Sequence, residues 1–69
     1  MKKDDFLAFA ATIFKVDPSV LTLETAYGSL PEWDSVNHLR LVMETEKRFG
    51  VEYALERIPY MMKLGDFMV

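Results

Sequence analysis

The chain predicts a small all-α bundle with a long first loop, on three observations. Two stretches carry apolar residues at helical spacing, and residues that start or stop helices bound each of them. No stretch alternates apolar and polar residues well enough for a strand. The 69 residues are 51% hydrophobic, enough for one small folded domain over 1–69 and too apolar for a disordered chain.

The first helix is predicted over Lys3 to Phe14. Asp4 and Asp5 suit the positive N-terminal end of a helix dipole, and Lys15 suits its negative end. Phe6, Phe9, Ala10 and Ile13 recur at helical spacing and form one stripe for burial. Pro18 prevents simple continuation, so Val16-Asp17-Pro18-Ser19 reads as a turn. Residues 19–34 make a long connection with Gly28 and Pro31, yet it also holds Val20, Leu21, Leu23, Tyr27, Leu30 and Trp33. A loop this apolar is packed down or functional. Leu23, Tyr27 and Trp33 are read first as plugs for the core.

The second helix is predicted from Ser35 to Phe49, with Gly50 as its C-terminal cap. A short third segment, Ala54 to Ile58, is interrupted by Pro59, and a last helix starts near Lys63 or Leu64 and runs to the end. At roughly 100° per residue, Leu41, Val42 and Phe49 share one side of the second helix with His38 and Thr45. Val36, Leu39 and Met43 share another. Two apolar stripes mean either deep burial or a partner surface, and periodicity does not choose between them. Arg40, Lys47 and Arg48 outnumber Glu44 and Glu46 on this helix, although the chain has net charge −3.

Composition narrows the function classes. With no cysteine, the chain has no disulfide or thiolate metal site, and any thiol chemistry must come from an attached group. A negative domain does not attract a phosphate backbone, so no nucleic-acid partner is expected. No apolar run reaches membrane-spanning length. Met1-Lys2-Lys3-Asp4-Asp5 places acids where a signal peptide would continue apolar, so a cytoplasmic location is expected. No acid–base pair, nucleophile constellation or metal-ligand spacing is visible, so neither an enzyme nor a metal site is expected.

The most informative stretch is Glu32-Trp33-Asp34-Ser35-Val36, set at the head of the second helix. A helix start offers free backbone N–H groups and the positive dipole end. A phosphate ester on Ser35 would be well placed there. An Asp-Ser pair alone means little, since such pairs cap helices widely. Here it is followed by Leu41-Val42-Met43-Glu44 and Glu46-Lys47-Arg48-Phe49-Gly50-Val51-Glu52, then by Ile58 and Leu64-Gly65-Asp66-Phe67. Taken together, and over nearly the whole chain, these residues resemble an acyl carrier protein.

The resemblance implies a four-helix bundle with a short third helix. It implies that Ser35 carries a covalent 4'-phosphopantetheine derived from coenzyme A, attached by a phosphopantetheinyl transferase that uses magnesium. Asp34 matches the family's acidic residue beside the serine, which helps position the transferase. The arm's thiol would hold an acyl group as a thioester for fatty acid, polyketide or related specialised biosynthesis. Further partners implied are an acyl-loading ligase or acyltransferase and a ketosynthase or other acyl-transferring enzyme, acting on a monomer. Val36, Leu39 and Met43 match the partner-facing stripe, flanked by Arg40 and Lys47, while Leu41, Val42 and Phe49 match the core. Arg40, Lys47 and Arg48 stand where fatty-acid-synthesis carriers are commonly acidic. With the Pro31-Glu32-Trp33-Asp34-Ser35 lead-in, this suggests a discrete member of a specialised pathway.

Two alternatives stay open on the residues: an aminoacyl or peptidyl carrier, and a helical interaction module in which Asp34-Ser35 is only a cap. His38, the one histidine, lacks the companions of a general base. A structural or surface role is favoured, ahead of contact with the arm from one helical turn beyond Ser35.

Overall fold

The computed structural model describes residues 1–68. Two α-helices, α1 (Lys3–Phe14) and α2 (Ser35–Phe49), have the bounds that the sequence predicts. Three 3₁₀ segments accompany them, Pro18–Val20, Leu55–Tyr60 and Leu64–Phe67, and no strand forms among the described residues beyond one isolated bridge. The class is therefore all-α.

The third and last helices differ from expectation. The third is a 3₁₀ segment that contains Pro59 and runs over Leu55–Tyr60 instead of ending at Ile58. Proline removes a backbone donor, and a segment this short gains too few bonds to offset the cost of starting an α-helix. Ala54 adds no side-chain cap. The last helix is the single 3₁₀ turn Leu64–Phe67, tightened where Asp66 Oδ2 accepts the Lys63 N–H at 3.1 Å. Its expected run to the final residue, Val69, lies outside the described residues.

The main helices end as their sequences dictate. In α1, Lys2 gives no side-chain cap, and Asp4 and Asp5 complement the first turn. Its C-terminus closes on Lys15 at φ 59°, whose N–H reaches Ala11 O. A side chain in this left-handed conformation costs about 1 kcal/mol. In α2 the same role falls to Gly50 at φ 68°, whose N–H donates to Glu46 O at 2.9 Å, without that cost.

The long connection is fastened at both ends. At its start, Asp17 Oδ1 accepts the Ser19 N–H at 2.8 Å, and this bond holds the Asp17 carboxyl below the usual range. Further on, backbone bonds tie it to the C-terminal segment. Gly65 N–H donates to Leu23 O at 2.8 Å, Leu64 N–H to Thr25 O at 3.0 Å, and Tyr27 N–H to Met62 O at 2.6 Å. A Cβ at Gly65 would meet Leu23 O at 3.0 Å, so the two segments approach this closely because position 65 has no side chain. The loop behaves as structure because its buried backbone groups find partners.

The core takes a wider face of α1 than the predicted stripe. Phe6, Ala10, Ala11, Ile13 and Phe14 are buried, whereas Phe9 is half-buried with its edge against Phe49 at 5.7 Å. Leu21 and Trp33 enter from the loop, and Leu23 and Tyr27 only half enter. Leu41 and Val42 come from α2, and Tyr53, Met61, Leu64 and Phe67 complete the core. Phe67 sits at its centre, near Phe6 at 5.6 Å and Tyr53 at 5.5 Å between ring centroids. The Tyr53 hydroxyl donates to Phe67 O at 2.6 Å. Burial, reinforced by the Glu46 carboxylate, pushes that phenol up to about 12.

Candidate functional site

Asp34 has extended backbone and caps α2, its Oδ1 accepting the Asn37 N–H at 2.8 Å. Asn37 Nδ2 in turn donates to Glu32 O at 2.8 Å, which fixes the approach to the helix. The first bond of the helical ladder runs from His38 N–H to Asp34 O at 2.8 Å. The N–H groups of Ser35 and Val36 thus precede the ladder, at the positive end of the dipole. Ser35 is exposed, and its hydroxyl makes no hydrogen bond among the described residues.

The other two serines are placed differently. Ser29 Oγ donates to Ala26 O at 2.6 Å. Ser19 lies in the three-residue 3₁₀ turn beside the Asp17 carboxylate. Only Ser35 combines exposure with the start of a long helix.

Beside Ser35 lies an apolar cleft of about 330 Å³, lined by Tyr27, His38, Leu39, Ile58, Pro59 and Met62 as well as Ser35 itself. This is at the lower end of small-ligand pocket volumes. Its floor is held by His38, which is buried in spite of its polarity. His38 Nδ1 lies 3.1 Å from Trp33 Nε1, and Nε2 lies 2.8 Å from Ile58 O. An indole N–H only donates, and a carbonyl oxygen only accepts. Nδ1 is therefore the acceptor, Nε2 carries the proton, and the ring is the neutral Nε2–H tautomer. Tyr27, Trp33 and His38 stack in mutual contact, with centroids 5.6 to 6.0 Å apart. With both ring nitrogens engaged, His38 has no free lone pair for a general base, and it fastens the Leu55–Tyr60 segment to α2. No group of three His, Cys, Asp or Glu side chains that could hold a metal ion occurs among the described residues.

The two stripes of α2 part company. His38, Leu41, Val42 and Thr45 are buried, and Phe49 is half-buried. Val36, Leu39 and Met43 are 67%, 54% and 61% exposed. Arg40 and Lys47 are exposed on that same outer side, neither in an ion pair among the described residues. Arg48 lies over the Phe49 ring at 5.4 Å, and Glu46 turns back to accept the Tyr53 N–H at 2.8 Å.

Sequence reasoning missed the cleft's far wall. Ile58, Pro59 and Met62 carry no helical periodicity, and Pro59 signals only an interruption. Tyr27 was legible as a core plug, not as a wall beside Ser35. The Trp33–His38 bond was within reach, since a lone histidine five residues after a tryptophan offers the acceptor that a buried indole needs.

No family model matches the chain, and a search of curated proteins finds no match.

Proposed function

We propose that this protein is a cytoplasmic, monomeric acyl carrier whose Ser35 bears a phosphopantetheine arm. The observation that carries the reading is Ser35 itself: an exposed hydroxyl without a hydrogen bond, at the first turn of α2, beside an apolar cleft. The resemblance of Trp33-Asp34-Ser35-Val36 and the segments that follow supplies the identity of the group. The finer architecture proposed is that of a four-helix carrier, with Leu55–Tyr60 and Leu64–Phe67 in the places of the third and fourth helices.

The residues present fit such a group. Ser35 Oγ would hold the group through a phosphodiester, formed as the hydroxyl displaces adenosine bisphosphate from the pantetheine-bearing phosphorus of coenzyme A and its proton leaves with the bisphosphate. The N–H groups of Ser35 and Val36 and the dipole of α2 favour the resulting phosphodiester anion. Asp34 stays engaged in capping while its other carboxylate oxygen faces the transferase. The arm, once bound, supplies a thiol that holds acyl cargo as a thioester. Tyr27, Leu39, Ile58, Pro59 and Met62 offer apolar contact where the arm leaves Ser35, and His38 holds the cleft's shape. The partners are the transferase, an acyl-loading ligase or acyltransferase, and a ketosynthase or other acyl-transferring enzyme.

The test is intact mass after incubation with coenzyme A, magnesium and a broad-specificity phosphopantetheinyl transferase, alongside Ser35→Ala. A gain of one phosphopantetheine on the unsubstituted protein alone is expected. A mass unchanged in both, with a control carrier loaded, contradicts the reading.

A further inference from the structure

The outer face of α2 is the least explained surface of the molecule. Val36, Leu39 and Met43 are apolar yet more than half exposed, although a chain of this size has little apolar surface to spare. Leu39 also lines the cleft, as does Met62, itself 44% exposed. Strip and cleft therefore join at Leu39 into one apolar surface. Arg40 and Lys47 lie along the strip at helical spacing, exposed and without ion pairs among the described residues. The nearest acid of α2, Glu44, is half-buried, and Glu46 is bonded to Tyr53. A chain of net charge −3 thus presents a locally cationic edge beside an apolar strip.

We propose that this face docks a protein surface that offers an apolar groove edged by carboxylates. The proposal rests on the carrier reading for the partner's role, an enzyme that works on the arm at Ser35. Arg40 suits a carboxylate because its planar fork donates two parallel hydrogen bonds, and Lys47 adds a second point charge about two helical turns further on. The charges favour acidic partners and disfavour basic ones, so they set choice and encounter rate more than affinity. A strip of three anchors with two cations makes a small contact, as a shuttle that must also leave requires.

Two other occupants fit less well. A second copy packed through a two-fold axis would bring Arg40 and Lys47 of one face against the same cations of the other. An anionic membrane would meet two cations on a molecule that is negative overall, and each cation near such a surface contributes only about 1 kcal/mol.

The experiment uses two synthetic amphipathic helical peptides with one shared apolar stripe, flanked by Glu in one and by Lys in the other. Each is titrated into the full chain at low salt and followed residue by residue by NMR. The Glu-flanked peptide is expected to bind about tenfold tighter than the Lys-flanked one, with shifts at Val36, Leu39 and Met43. The double substitution Arg40→Glu, Lys47→Glu is expected to reverse the preference, and high salt to shrink it. Equal binding of the two peptides, no binding, or shifts away from α2 overturns the proposal. Self-association through α2, or tighter binding to phosphatidylglycerol vesicles than to the Glu-flanked peptide, overturns it too. Loss of peptide preference with Ser35 still loaded removes this proposal alone. Peptide preference without loading of Ser35 removes the carrier reading instead.

Discussion

The inner and outer faces of α2 invert the usual sorting of side chains. The inner face buries His38 and Thr45 beside Leu41 and Val42, while the outer face exposes Val36, Leu39 and Met43. Hydrophobicity alone would not separate them. The difference lies in what each side chain meets: the inner residues face α1 and the aromatic loop, whereas the outer ones stay more than half exposed, Leu39 alone of them reaching the rim of the cleft. The inner face packs the bundle together, and the outer face contributes little to that packing.

The largest expected contrast is between two leucines two residues apart. Leu41→Ala empties a fully buried site and should cost about 2–5 kcal/mol, whereas Leu39→Ala should stay within about 0.5 kcal/mol. Urea unfolding of the two variants measures this, and similar losses would erase the distinction between the faces. Next comes His38→Ala, which leaves the Trp33 N–H without its acceptor and Ile58 O without its donor. A loss of about 1–3 kcal/mol per orphaned group sets the scale. Trp33 fluorescence should change with it, and a variant with native stability and native emission would contradict the tether.

Alkaline unfolding sharpens the account of the core. The folded Tyr53 phenol lies at about 12, above its ordinary 10.0, so the fold favours the protonated form. Its contribution is complete below pH 10 and is lost as pH rises through about 12. Tyr53→Phe should lack this alkaline loss, and a pH profile identical to that of the unsubstituted protein would refute the assignment. The smallest effect belongs to Thr45, whose buried hydroxyl finds no partner among the described residues. Thr45→Val should be neutral or stabilising by up to about 1 kcal/mol, and a clear loss in thermal melting would point to a bond to that hydroxyl.

Much of the helical frame was legible from single residues. Asp34 announces the start of α2, Gly50 its end, and Pro18 the turn after α1, because each acts through local backbone chemistry. The 3₁₀ character of Leu55–Tyr60 was half legible, since Pro59 forbids a regular α-helix without saying what replaces it. The pairing of the loop with residues 62–65 was not legible at all. It runs through backbone bonds of Leu23, Thr25 and Tyr27, which leave no side-chain pattern. At the site, the position of Ser35 followed from the helix start. The cleft beside it did not, because its walls come from the loop, α2 and the 58–62 segment, which are distant in sequence.

The central claim is that Ser35, and no other serine, is presented for modification. Fragment mass mapping of the chain after treatment with coenzyme A and a phosphopantetheinyl transferase tests it most directly. The account predicts the added mass on the fragment containing Ser35, with Ser19 and Ser29 unmodified. Added mass on Ser19 or Ser29, or on no serine beside a loaded control carrier, would contradict it.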